Sequence, residues 1–285
     1  MNGKDSPRPA EAQRAAVLGS PIEHSLSPDL HRAAYAALGL AGRSYDRFEV
    51  GEEELPAFLA GLDGSWSGLS LTMPLKRAVI PLLDALTPAA ESVGAVNTVL
   101  FGPDGHRLGD NTDIPGITAA LAERGVTRVE RAAVLGAGAT AASALAALAG
   151  ICDGEVTAYV RGPDRAREMS DWGERLGVDV RTAPWEKAAE ALELPLVVAT
   201  TPAGATDGLA AAVPERPGTL FDVLYDPWPT ALAAAWQRHG GTVVGGLDLL
   251  LHQAVLQVER MTGHAPAPLE AMRAAGERAL AGRHR

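Results

Sequence analysis

The sequence contains one cysteine, Cys152, in 285 residues. No disulfide framework can be built from it, and a reducing, cytoplasmic compartment is expected. Its seven histidines are scattered and pair with no cysteine or carboxylate at ligand spacing, so no metal site is expected. Positive charge is in deficit. A formal net charge of −10 argues against a nucleic-acid or anionic-membrane surface, and an anionic ligand would need a local basic pocket. No apolar run approaches the length of a membrane span. Residues 1–14 are polar, with Pro7 and Pro9, and lack the apolar core of a signal peptide, which predicts a loose tail. No internal repeat is visible. What remains, 47% hydrophobic and 21% charged residues, is the balance of a globular chain long enough for two domains.

Near the middle lies Val134-Leu135-Gly136-Ala137-Gly138-Ala139-Thr140-Ala141. Arg131 to Leu135 reads as a short buried strand, and the run from Ala139 to Ala149 as a helix with a thin side, ended by Gly150. The turn between them is G-x-G-x-x-A. Gly136 permits the tight turn, Gly138 lets the backbone approach a pyrophosphate, and Ala141 keeps the helix close to the sheet. The helix start would offer its N–H groups to the phosphates.

Upstream, Ala15 to Leu18 reads as the first strand, followed by a loop and a helix with Ser27 as N-cap and Pro28 at its first position. Capping alone explains Ser25 and Ser27, and two hydroxyls at such a turn equally suit a ligand's carboxylate or hydroxyl. Gly68 to Leu71 is a buried strand leading into Thr72-Met73-Pro74-Leu75-Lys76. Lys76 would sit near a helix start, where the dipole repels cations. Gly94 to Leu100 opens a further strand region, and Gly109 to Asp113 is a short polar cluster before a helix from Ile114 that would bridge the domains. Asp113 suits an N-cap.

Beyond the glycine turn, an acid is missing. A dinucleotide site for NAD usually places one at the tip of the second strand, to hold the ribose hydroxyls. Here Glu155 to Val160 is followed by Arg161-Gly162-Pro163-Asp164-Arg165. Two guanidinium groups suit a ribose 2′-phosphate, so NADP is favoured over NAD. Leu194 to Ala199, Thr219 to Val223 and Thr242 to Val244 are further strands, and Leu247 to Met261 is a helix with Gln253 inside its apolar run.

Seven segments, in order, make the chain resemble the shikimate dehydrogenase family. Gly19 to His31 is similar to its first substrate loop, Gly68 to Lys76 to its G-x-N-V-T-x-P-x-K, Gly94 to Thr98 to its G-A-V-N-T, and Gly109 to Gly116 to its G-x-N-T-D-x-x-G. Thr200 to Gly204, Asp222 to Thr230 and Gly246 to Gln253 resemble the later ones. The resemblance implies an α/β protein of two domains: a substrate domain over 15–113 with a mostly parallel sheet, a Rossmann-like NADP domain over 114–245, and C-terminal helices over 246–285 that complete the first. It implies contacts to shikimate from Ser25, Ser27, Thr72, Asn97, Tyr225 and Gln253, with Lys76 and Asp113 as the catalytic pair. NADP would be held by Gly136, Ala137, Gly138, Ala139, Thr140, Ala141, Arg161, Arg165, Thr200 and Gly246. Ser70 and Leu71 depart from the family's Asn and Val, Arg32 stands where Asn or Gln is commoner, and Val160 and Ala199 each replace an Asn.

The reaction implied is the reversible reduction of 3-dehydroshikimate by NADPH to shikimate, a step toward the aromatic amino acids. Lys76 would donate the proton to the oxygen that receives it. The reverse assignment, with Asp113 as base in alcohol oxidation, stays open. So do an NAD-dependent quinate/shikimate dehydrogenase, an aminoshikimate-type relative, and a non-catalytic NADP-sensing protein. The partners expected are the small molecules alone, without nucleic acid or membrane, with the chain a monomer or homodimer.

Overall fold

The computed structural model describes residues 13–102 and 104–283; the predicted N-terminal tail falls almost wholly outside them. In chain order the elements are β1 (Gln13–Gly19), α1 (Ser27–Ala37), β2 (Arg43–Glu49), α2 (Leu55–Ala60), β3 (Trp66–Leu71), α3 (Leu75–Ala78), β4 (Ala85–Leu86), α4 (Pro88–Val93), β5 (Thr98–Phe101) and β6 (Arg107–Asp110). There follow α5 (Asp113–Glu123), β7 (Ala132–Leu135), α6 (Ala139–Leu148), β8 (Val156–Val160), α7 (Pro163–Leu176), β9 (Val180–Pro184), β10 (Leu196–Ala199), β11 (Thr219–Asp222), α8 (Ala231–Arg238), β12 (Thr242–Val244), α9 (Gly246–Thr262) and α10 (Leu269–Arg283). No helix of the described residues is long and apolar enough to cross a membrane.

The chain divides into two compact units. The first takes the described residues up to Ala85, then Val96–Asp110 and those from Gln257 on; the second takes Leu86–Ala95 and Asn111–Leu256. The division falls inside α9.

In the first unit the sheet order is β2-β1-β3-β5-β6-β4. β1 pairs parallel with both β2 and β3, while β5 runs antiparallel to β3 and to β6. Ala15 and Val17 of β1 join Ile22, Tyr35, Tyr45 and Met261 in one apolar cluster. Ala16 and Leu18, pointing the other way, are equally enclosed. A strand covered on both faces needs apolar residues at every position, which is why β1 reads Ala-Ala-Val-Leu without alternation. Helix α10 packs along α1.

The second unit has a six-stranded sheet in the order β12-β11-β10-β7-β8-β9, with every adjacent pair parallel. Period-two alternation sorts its side chains. Ala132, Val134, Val156, Ala158, Leu196 and Val198 face α5, α6 and α7. Ala133, Leu135, Tyr159, Val197, Ala199 and Leu220 face α8 and the 3-10 stretch Trp185–Glu193. Each fully buried Val or Leu contributes about 1.5–3 kcal/mol, so both faces hold the sheet firmly.

Two predicted caps differ. Ser27 is the first helical residue of α1, with Leu26 in the cap position. The side chain that acts there is that of Ser25, whose Oγ accepts from the Ser27 N–H at 3.3 Å. Likewise α5 begins at Asp113 itself, and Asn111 Oδ1 accepts from the N–H groups of Asp113 and Ile114 at 3.0 and 3.2 Å. An asparagine two residues upstream reaches those donors more easily than the aspartate's own side chain.

Candidate active site

In the first unit the loops after β1 and β3 leave neighbouring parallel strands at one edge. Thr72 N–H donates to Leu18 O at 2.9 Å and Ser20 N–H to Met73 O at 3.0 Å, so the two loops are laced together. A Cβ on Gly19 would stand 2.4 Å from Thr72 Cγ2 and 2.9 Å from Met73 O. Only glycine allows that approach. The Asn97 segment joins the same edge, where Leu71 N–H donates to Asn97 O at 2.8 Å and Val96 N–H to Lys76 O at 2.8 Å. Of the residues predicted here, Ser25, Ser27 and Asn97 are buried, while Thr72 and Lys76 are half-buried. Lys76 lies on α3, which is only four residues long. Behind them sits a polar network absent from the sequence reading: His31, Tyr45, Ser70, Thr98 and Gln257, all buried. Burial pushes the His31 imidazole down to about 3 and the Tyr45 phenol well above its ordinary range, so both stay neutral. Asp110 is also buried and pairs with Arg260.

Asp113 and Gln253 fall in the second unit. Thr112 Oγ1 donates to Gln253 Oε1 at 3.3 Å, and Gln253 Nε2 donates to Leu250 O at 2.9 Å. A Cβ on Gly116 would come within 3.0 Å of both Gln253 N and Cβ, so the missing side chain is what lets α9 lie against the start of α5. Both Asp113 and Gln253 are buried.

The glycine turn stands where β7 meets β10, the point at which the sheet's connections diverge. Counted within the sheet, the strands run 3-2-1-4-5-6, the order of dinucleotide-binding sheets, whose ligands lie beyond the strand ends at this point. Gly136 has φ +112°, and a Cβ there would stand 2.7 Å from Thr200 Oγ1. Thr200 is tied back by donating from both its N–H and its hydroxyl to Leu135 O, at 2.9 and 3.0 Å. Gly138 has open space where a Cβ would be, and α6 starts immediately after it. Ala137, Ala139 and Thr140 are half-exposed around this opening and Ala141 is buried against the sheet. The turn therefore fits a pyrophosphate.

Past β8, Arg161 and Arg165 are both exposed. Arg161 Cζ lies 5.1 Å from the centre of the Trp185 ring, and Arg165 pairs with Glu168 at 2.6 Å. Tyr225 is half-buried just after β11. There Asp222 takes hydrogen bonds from Thr230 Oγ1 and Leu224 N–H, and burial raises its carboxyl above the ordinary range. Gly246 is enclosed, with room for a Cβ blocked 2.2 Å away by Val223 O. Its side of the turn is occupied by protein backbone.

Comparison with known proteins agrees with this geometry. Residues 17–99 match the shikimate dehydrogenase substrate binding domain, and residues 246–275 the shikimate 5'-dehydrogenase C-terminal domain. A shikimate dehydrogenase (NADP(+)) of Oleidesulfovibrio alaskensis is 40% identical over 252 residues, 85% of this chain and 86% of the relative. The crystal structure of Mycobacterium tuberculosis shikimate dehydrogenase superposes with a TM-score of 0.86 at 42% identity, covering 93% of this chain and 99% of that one. That of Thermus thermophilus shikimate 5-dehydrogenase in complex with NADP(H) and shikimate gives 0.80 at 36% identity, covering 94% and 99%. With relatives of this identity matched over nearly their whole length, the chain belongs to the shikimate dehydrogenase family.

Proposed function

We propose that this chain catalyses the reversible, NADP-dependent interconversion of 3-dehydroshikimate and shikimate. The observation that carries the reading is the lacing of the loops after β1 and β3, Thr72 to Leu18 and Ser20 to Met73, which gathers hydroxyls, an amide and one lysine at a single sheet edge. A polyhydroxylated ring needs that chemistry, because each ring hydroxyl must find a partner once water is removed.

The residues take these roles. Ser25, Ser27, Thr72, Asn97, Tyr225 and Gln253 bind the ring's hydroxyl and carboxylate groups. Gly136 to Ala141 and Thr200 would hold the cofactor's pyrophosphate, and Arg161 with Arg165 its 2′-phosphate. Gly246 would contact the cofactor where α9 starts against Val223. When bound, NADPH supplies a hydride for the ketone carbon. Lys76 donates a proton to the ketone oxygen and recovers one from solvent, and Asp113 is the second member of the catalytic pair, binding a substrate hydroxyl. In the oxidation direction Lys76 takes that proton back. Residues 15–113 with the C-terminal helices form the substrate domain, and residues 114–245 the NADP domain. The acidic balance and the single cysteine support a cytoplasmic protein that handles small molecules and not nucleic acid, as a monomer or homodimer in our reading.

The test is an assay of the purified chain with shikimate and quinate, each with NADP+ and NAD+. Turnover of shikimate with NADP+ above the other three pairs is the expected result. Preference for quinate with NAD+ would replace this reading.

A further inference from the structure

The hydrogen bonds behind the first unit's loops run in one direction. Asn97 O is a backbone carbonyl and can only accept; Gln257 lies 3.3 Å from it, so the nearer end of the Gln257 amide must be Nε2. The same Nε2 donates to Thr98 Oγ1 at 2.9 Å. The other end, Oε1, accepts from Ser70 Oγ at 2.7 Å, and Ser70 Oγ accepts in turn from the Tyr45 hydroxyl at 2.6 Å. His31 Nε2 stands 3.4 Å from the same Oε1 and therefore carries the imidazole proton. Because Thr98 Oγ1 already accepts from Gln257, its own hydrogen is available for Asn97 Oδ1, 2.9 Å away. The orientation of the Asn97 amide thus follows, step by step, from the Gln257 amide. His31, Tyr45, Thr98 and Gln257 are fully buried and Asn97 is 2% exposed, so the chain of bonds is shielded.

We propose that Gln257 is a positioning residue for Asn97: acting through Thr98, it fixes the amide with Oδ1 toward Thr98, so that Nδ2, and not Oδ1, is the end that meets a substrate hydroxyl. The inference rests on the reading of Asn97 as a substrate contact. It gives the departure at Ser70 a purpose, since a hydroxyl there can receive from Tyr45 and pass a donor to Gln257 without reversing the direction.

A double-mutant cycle between Gln257→Leu and Asn97→Ala tests it. Gln257→Leu should raise the KM for shikimate about five- to tenfold, the worth of one hydrogen bond, with kcat changing less and the KM for NADP+ not at all. Asn97→Ala should raise it at least as much, and the double variant should be no worse than Asn97→Ala alone. Thr98→Val, which keeps the shape and removes the relay hydroxyl, should copy Gln257→Leu, and Thr98→Ser should restore the parent KM. If Gln257→Leu does not fold, the Thr98 pair decides. Additive effects in the cycle, or a Thr98→Val variant with the parent KM, would overturn the relay. An unaltered chain that does not turn over shikimate, or an Asn97→Ala variant with the parent KM, would instead remove the reading on which the relay stands, and the relay with it.

Discussion

Arg161 leans its guanidinium on the face of Trp185, 5.1 Å from Cζ to ring centre. The contact ties the tip of β8 to the residue just after β9 and holds a cation where an NAD site would carry an acid. Cation–π contacts at exposed positions are worth about 0.5–1 kcal/mol, enough to bias a rotamer but not to fix it. Arg161→Ala should therefore weaken NADP+ about tenfold to a hundredfold, the loss of one charge-assisted hydrogen bond, and leave NAD+ almost unchanged. Trp185→Leu should weaken NADP+ by a smaller factor, because the charge remains. Arg165, already paired with Glu168 at 2.6 Å, should matter less than Arg161. Fluorescence titration with both nucleotides measures this. An equal loss for both would mean that Arg161 shapes the loop and reads no phosphate.

Lys76→Ala should lower kcat by about 10²–10⁴ with shikimate binding largely retained, the size expected of a positioned proton donor. Stopped-flow and steady-state rates separate the two effects. A rise in KM with kcat intact would make Lys76 a binding residue.

Gln253→Ala should raise the KM for shikimate without unfolding the protein. Its amide accepts from Thr112 and donates to the Leu250 carbonyl of its own helix, bonds that helix α9 does not need in order to form. Unchanged shikimate kinetics in a folded variant would take Gln253 out of the site.

The strong strands and the glycine turn were legible in the sequence because buried parallel strands are continuous apolar runs and Gly136 answers a backbone demand. The strand β9 was not, since its Val180–Pro184 stretch is an edge strand and only half-buried, without an apolar run to mark it. Strand β6 was hidden for a similar reason: it ends on a buried Asp110, which reads as loop until Arg260, far away in sequence, is seen to pair with it. The Gln257 network escaped because its members are scattered from His31 to Gln257, each an ordinary polar residue alone. Gly246 also meets a backbone requirement, its packing against Val223 O, that periodicity cannot reveal.

His31 makes a pH prediction that can be isolated. Burial depresses its folded value to about 3 from an ordinary 6.5, with Gln257 opposing weakly. The groups that face it are Gln257, the stacked Tyr45 ring at 3.8 Å and the Tyr35 ring at 6.0 Å, and none of them charges between pH 3 and 7, since Tyr35 is pushed up to about 12. A base whose folded value is depressed is protonated first in the unfolded chain. Between pH 6.5 and 3 the unfolded state therefore binds the extra proton, and stability falls as pH falls. The contribution is complete above pH 6.5 and, with those two values, about 2 kcal/mol of it is gone by pH 5. Denaturant unfolding of the parent and of His31→Leu at pH 7 and pH 5 reads the difference. The variant should be less stable at pH 7, having lost a stacked ring and a donor to Gln257, yet its stability should fall by about 2 kcal/mol less than the parent's between the two pH values. Other titrating groups cancel in the comparison. Parallel losses in the two proteins would show that His31 takes up its proton in the fold as readily as in the unfolded chain, and the neutral imidazole assigned to the fold would be withdrawn.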